Sequence, residues 1–170
     1  MKMFGWSALC LLVVSVSAAC GITDTITGQK ITTTTFEPVY RAAKTVQGAT
    51  ASGVTYVKFG ELLQGLSTEI GIAKDKSLTS NDKLLLEVYE HVNEEYQKSQ
   101  SFWKLKIESR NNLASDLESQ MQDAWSRADK MLQRATEVFY GRQNAADLST
   151  SPPLNTTPDL FKSVMKKYEE

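Results

Sequence analysis

The stretch Leu84–Ile107, LLLEVYEHVNEEYQKSQSFWKLKI, decides how this chain folds. Set out at about 100° per residue, Leu84, Leu85, Val88, Tyr89, Val92, Tyr96, Ser99, Phe102, Trp103 and Ile107 fall on one side. Glu87, Glu90, Asn93, Glu94, Gln97, Gln100 and Lys104 fall on the other. That is the period of an amphipathic helix, and neither Gly nor Pro interrupts it. The spacing predicts a helix from about Ser80 to Arg110.

Downstream, Ala114, Leu117, Met121, Ala124, Ala128, Met131, Ala135 and Val138 repeat in alternating steps of three and four, the seam of a heptad pattern. Alanine at a seam permits close helix approach but buries little area. Leu113, Trp125, Leu132 and Phe139 widen the apolar face on one flank, which favours a bundle over a two-stranded coil. Gly141 suits the C-cap of this helix, about Leu113–Tyr140. The junction Ser109–Asn112 holds no Gly or Pro, so one helix running from about 80 to 140, some 90 Å long, is one reading. The other is a break there, with Ser115 to Glu118 as a capping box. We favour the break. An unbroken helix would leave its wide apolar face uncovered unless a partner helix or a second copy lay on it.

Upstream, Glu37–Lys74 carries Val39, Ala42, Ala43, Val46, Leu62, Leu63, Leu66 and Ile70 at helical intervals, with Pro38 placed for a first turn. Gly48, Ala49, Ala51, Ser52, Gly53 and Gly60 fall within it and predict a bend near Gly48–Gly53 or at Gly60. Asp75–Ser80 reads as a turn, with Thr79 and Asp82 spaced as a capping box. The expected fold is therefore all-α, an antiparallel three-helix bundle over 37–141, the alternative being a helical hairpin with one very long second helix.

The ends differ from this core. Residues 1–19 have the plan of a secretory signal: Lys2, an apolar run from Phe4 to Val16, then Ser17-Ala18-Ala19. The run is shorter than the roughly 20 residues a spanning helix needs. Of the two cysteines, Cys10 lies inside this leader, leaving Cys20 without an intrachain partner. Val16-Ser17-Ala18-Ala19-Cys20-Gly21 resembles the lipobox of bacterial lipoproteins, with Ser17 standing where that family usually carries an aliphatic residue. The resemblance implies a lipid on the Cys20 thiol, cleavage before it, and an envelope location on the periplasmic face of the outer membrane, Gly21 not being the Asp of inner-membrane retention. Secretion as a soluble protein is the alternative. Residues 21–36, rich in Thr, follow as a tether. A Pro/Ser/Thr linker covers 142–158, and 159–170 reads as a short amphipathic helix with Leu160, Phe161, Val164 and Met165 on one side, a candidate recognition segment.

Charge excludes some partners. With 19 basic and 20 acidic residues the chain has a formal net charge of −1 and no basic excess for nucleic acid. No phosphate-cradling glycine loop and no nucleophile elbow occur. The single histidine, His91, shares a helical side with Glu87 and lacks the Glu-x-x-His pattern of di-metal bundles. No catalytic residue, cofactor or metal is expected. Phe102, Trp103, Trp125 and Phe139 are either core or the wall of a groove for an apolar ligand or partner. The expectation is a non-enzymatic lipoprotein held at the membrane through Cys20. It would act as a helical adaptor for another envelope protein, similar to pilotins in architecture alone, with homo-oligomers left open. The alternative is a helical carrier for a lipid or other apolar ligand.

Overall fold

The computed structural model describes residues 30–108 and 114–150. They form four long helices and one short one, α1 (Thr33–Ser52), α2 (Tyr56–Lys74), α3 (Ser80–Glu108), α4 (Ala114–Phe139) and α5 (Ala146–Thr150), and no strand among the described residues. The fold is an all-helical bundle, as the periodicity predicts.

Side-chain pairings fix the directions. Thr32 meets Asp82 and Phe36 meets Tyr89, so α1 runs parallel to α3. Tyr56 meets Trp103 and Ser67 meets Asn93, so α2 runs antiparallel to α3. Tyr96 bonds Asp129, Trp103 touches Trp125 and Lys106 pairs with Glu118, so α4 returns along α3. The chain thus goes up, down, up and down. The return of α4 excludes the unbroken helix over 80–140 and places the reversal between Glu108 and Ala114. Glu118 does not close a capping box with Ser115: α4 already includes Ser115, and the Glu118 carboxylate accepts from Lys106 and Gln122.

The first arm differs from the expected single bent helix. It is two helices, and the bundle has four long helices instead of three. Gly53 holds φ at 91°, in the region a side chain disfavours, and ends α1. Thr55 then caps α2, its hydroxyl accepting from the Lys58 amide. Three residues between the helices are enough for a hairpin. The bend predicted near Gly48–Gly53 is therefore a full reversal.

The starting point of α1 also moves. Thr33–Phe36, expected in the tether, belong to the helix, because Phe36 is fully buried and stacks on Tyr89. Pro38 consequently falls inside α1, where its ring nitrogen has no hydrogen to offer the Thr34 carbonyl. At the far end, α5 occupies part of the expected 142–158 linker, and Leu148 packs on the main core.

One core runs through the four helices: Val39, Ala43 and Val46 of α1, Phe59, Leu63 and Leu66 of α2, Leu85, Tyr89, Val92 and Tyr96 of α3, and Ala128, Leu132 and Ala135 of α4. In the α4 seam Leu132 takes the fully buried place expected for Met131, which is half-buried. The helices α3 and α4 have 29 and 26 residues, against 20 and 19 for α1 and α2. Their excess projects past the α1–α2 turn as a two-helix hairpin held by its own small core of Phe102, Leu117 and Met121. Ile107, on the apolar face in the sequence pattern, is 60% exposed there because no third helix reaches it.

Candidate functional site

At the end where the chain enters, the start of α1 is clamped to the start of α3. The Asp82 carboxylate is fully buried and accepts from the Thr32 amide at 2.8 Å, the Thr32 hydroxyl at 2.8 Å and the Thr79 amide at 3.1 Å. The Asp82 amide donates in turn to the Thr79 hydroxyl, completing the capping box that the sequence predicts. Burial alone would raise the Asp82 pKa. The donors from Thr32 and Thr79 outweigh it and hold the carboxyl below its ordinary value.

Beside this clamp lies an aromatic group. Tyr40 stacks on Phe139 at 4.9 Å and meets the edge of Tyr140 at 5.7 Å. The Tyr40 pKa is raised, first by the hydrogen bond with Tyr140 and then by burial. The α4 helix ends here in a Schellman turn: Gly141 has φ 70°, its amide donates to Val138, and the Arg142 amide donates to Glu137. This is the C-cap expected at Gly141. The segments Lys30–Thr33 and Val138–Ala145, together with Asn81, enclose a cleft of about 780 Å³ at this end. Its lining contains two cations, Lys30 and Arg142, and no carboxylate.

A second cleft, of about 550 Å³, opens along the side between α1 and α4. Lys44, Gln47, Thr50 and Ala51 form one wall, and Trp125, Ser126, Asp129, Lys130 and Gln133 contribute to the other. Asp129 is oriented by the Tyr96 hydroxyl at 2.8 Å. Burial, then the neighbouring Asp129 charge, raises the Tyr96 pKa, so the phenol stays a donor. The indole Nε1 of Trp125 is buried and has no hydrogen-bond partner.

Of the four aromatic residues expected to line one groove, Phe102, Trp103 and Trp125 pack together and Phe139 does not join them. Trp103 and Trp125 touch edge to face at 5.9 Å, and Phe59 lies against both at 5.9 and 5.8 Å. Phe102 is buried in the hairpin core, and Phe139 stands at the opposite end of α4. A ligand lying between the two indoles would have to part rings that already touch. Cys20 and the segment Leu160, Phe161, Val164 and Met165 lie outside the described residues. His91 is half exposed and faces Glu94 at 3.1 Å and Glu87 at 3.9 Å, a surface arrangement. Among the described residues no group of three or more His, Cys, Asp or Glu could hold a metal, and no helix is long and apolar enough to cross a membrane.

Sequence reasoning missed one polar feature of the core. The Glu95 side chain is 2% exposed and accepts from Lys98 at 2.6 Å and Arg127 at 2.8 Å. Its signal was in the register: Glu95 lies three residues after Val92 and four before Ser99, both on the buried face. No family model matches this chain, and neither a curated protein nor a solved structure does.

Proposed function

We propose that this chain is a membrane-anchored, non-enzymatic envelope lipoprotein that works as a helical adaptor. In this reading the lipid sits on Cys20, residues 21–29 are the leash, and the bundle presents its side to another envelope protein. The observation that carries the adaptor role is the open seam between α1 and α4. Toward one end α1 and α4 close through the stack of Tyr40 on Phe139. Along the cleft they leave a gap with amides, hydroxyls and both signs of charge on the walls. Trp125 lines this cleft, and its buried Nε1 lacks an acceptor. A polypeptide segment supplies carbonyl oxygens and mixed polarity, which such walls suit better than a lipid tail.

The test is the mass of the mature N-terminus together with fractionation of wild type and Cys20→Ser. The expected result is a Cys20 N-terminus carrying acyl mass, in the membrane fraction, with the serine variant released. A mature protein recovered from the soluble fraction with a free Cys20 thiol would overturn the anchor.

A further inference from the structure

We infer that the end of the bundle bearing Lys30, Arg142 and Tyr140 is a docking face for the anionic headgroups of the anchoring membrane. The inference deepens the proposed anchor, since it says which way the bundle stands on the bilayer. Three independent observations meet at this end.

The first is the path of the chain. Lys30 is the first described residue, ten positions after Cys20, and it lines the end cleft. Ten residues reach at most about 35 Å, whereas the far tip of α3, 29 residues long, is some 43 Å away along the bundle. An anchor at Cys20 therefore holds this end within reach of the lipid and leaves the far tip of an upright bundle beyond the reach of that segment.

The second is charge. The cleft of about 780 Å³ has Lys30 and Arg142 in its lining and no acidic residue. Around this end Asp147 is exposed on α5 and Glu37 pairs with Arg41, while the other two carboxylates are engaged. Glu137 pairs with Arg142 at 3.3 Å and shares its charge, and Asp82 is buried beneath three donors. The Arg142 side chain nonetheless remains 65% exposed. An anionic phosphate entering the cleft meets Lys30 and Arg142 and no carboxylate in its lining.

The third is the aromatic rim. Tyr140 is 54% exposed although the neighbouring Tyr40 and Phe139 hold its ring in place, and the Arg142 guanidinium lies 5.5 Å from the ring centroid. A fixed, exposed tyrosine next to a cation is the pairing that settles at the headgroup level, with the ring among the upper methylenes and the charge in the phosphate layer.

The test uses the full mature chain carrying Cys20→Ser, so that binding owes nothing to acylation. Flotation is compared on phosphatidylcholine vesicles and on phosphatidylcholine–phosphatidylglycerol vesicles. The chain is expected to float with the anionic vesicles only, less so at high salt. Lys30→Gln and Arg142→Gln should each weaken partitioning roughly fivefold, and the double variant about 25-fold. Lys58→Gln, at the other end on α2, is the control and should change nothing. Both test residues lie outside the four long helices, and a circular-dichroism melt confirms that each variant folds. Equal binding to neutral and anionic vesicles, no binding to either, or equal weakening by Lys58→Gln overturns the docking face. The two readings fail separately. Anionic binding that depends on Lys30 and Arg142 stands even if the N-terminal mass shows no lipid. A lipidated Cys20 stands even if the vesicles are ignored.

Discussion

Asp82→Asn should loosen the end of the bundle where α1 begins, by an amount that depends on pH. The wild-type carboxylate receives three donors, the Thr32 amide on one oxygen and the Thr32 hydroxyl and Thr79 amide on the other. An asparagine amide fits the same space but brings one oxygen and one NH2. Turned to keep the two donors that converge, it points its own NH2 at the Thr32 amide. Turned the other way, it opposes the Thr79 amide. In either pose a buried donor faces a donor, and the remaining bonds lose their charge assistance. A bond to a charged group contributes about 1.5–3 kcal/mol and an orphaned buried donor costs about 1–3 kcal/mol, so we expect a loss of about 2–3 kcal/mol at pH 7, or roughly 10 °C in Tm. The folded-state pKa lies below the ordinary 3.8. The stabilisation is therefore complete above about pH 5 and is lost as pH falls through that depressed value. Guanidinium unfolding followed at 222 nm, at pH 7 and at steps down to the acid limit, gives the difference between wild type and variant. Subtracting the two removes the other carboxylates, Glu118 included, which the Lys106 bond also holds below its ordinary value. A difference under about 0.5 kcal/mol, or one that stays constant below pH 3, would refute the clamp.

Two tyrosines buried on α3 should respond to the same substitution with opposite signs. Tyr89→Phe removes a buried hydroxyl without a partner and should leave stability unchanged or raise it by about 1 kcal/mol, while Tyr96→Phe breaks the bond to Asp129 and should cost about 1–1.5 kcal/mol, both read by chemical denaturation. Glu95→Ala should cost about 2–3 kcal/mol in the same assay, below the range for a fully buried pair because Lys98 and Arg127 can turn toward water. The surface pair Lys58–Glu61 is the comparison, and Glu61→Ala should cost less than about 0.5 kcal/mol. Gly141→Ala should cost about 1–2 kcal/mol, because φ is 70° there, and hydrogen exchange should show the gain in fraying confined to the end of α4.

The periodic parts of this fold were legible because they depend on a single face. The α3 pattern, the α4 seam, the Gly141 cap and the Thr79–Asp82 capping box all follow from residues within a turn of one another. The hairpin in the first arm was legible only as a bend. Gly53 marks a weak point, but whether the chain kinks or reverses there depends on what Phe59 and Leu63 can reach, and they reach α3. The site was less legible. Trp103 and Trp125 share a register across α3 and α4, yet they touch each other, and Phe59, which packs against both, belongs to α2, expected as one arm with α1. Asp82 was visible as a cap, and its second role as the acceptor for Thr32 was not, because the two are 50 residues apart.

The buried charges on α3 and α4 answer a problem that the seam creates. Ala124, Ala128 and Ala135 let the two helices approach closely, but identical small side chains at successive turns distinguish one register poorly from another. A shift by one heptad would still place alanine against a buried face. It would also move Arg127 away from Glu95, leaving that buried carboxylate with Lys98 alone, and Asp129 away from Tyr96, leaving a buried phenol without its acceptor. Such a shift is penalised by those groups more than by the apolar seam. The same two contacts fix the height of Trp125, Ser126 and Asp129 along α3. In the proposed reading, a bundle that meets a membrane by one end and a partner by its flank needs that height fixed. Here the polar residues of the core set it, while the apolar ones supply most of the burial.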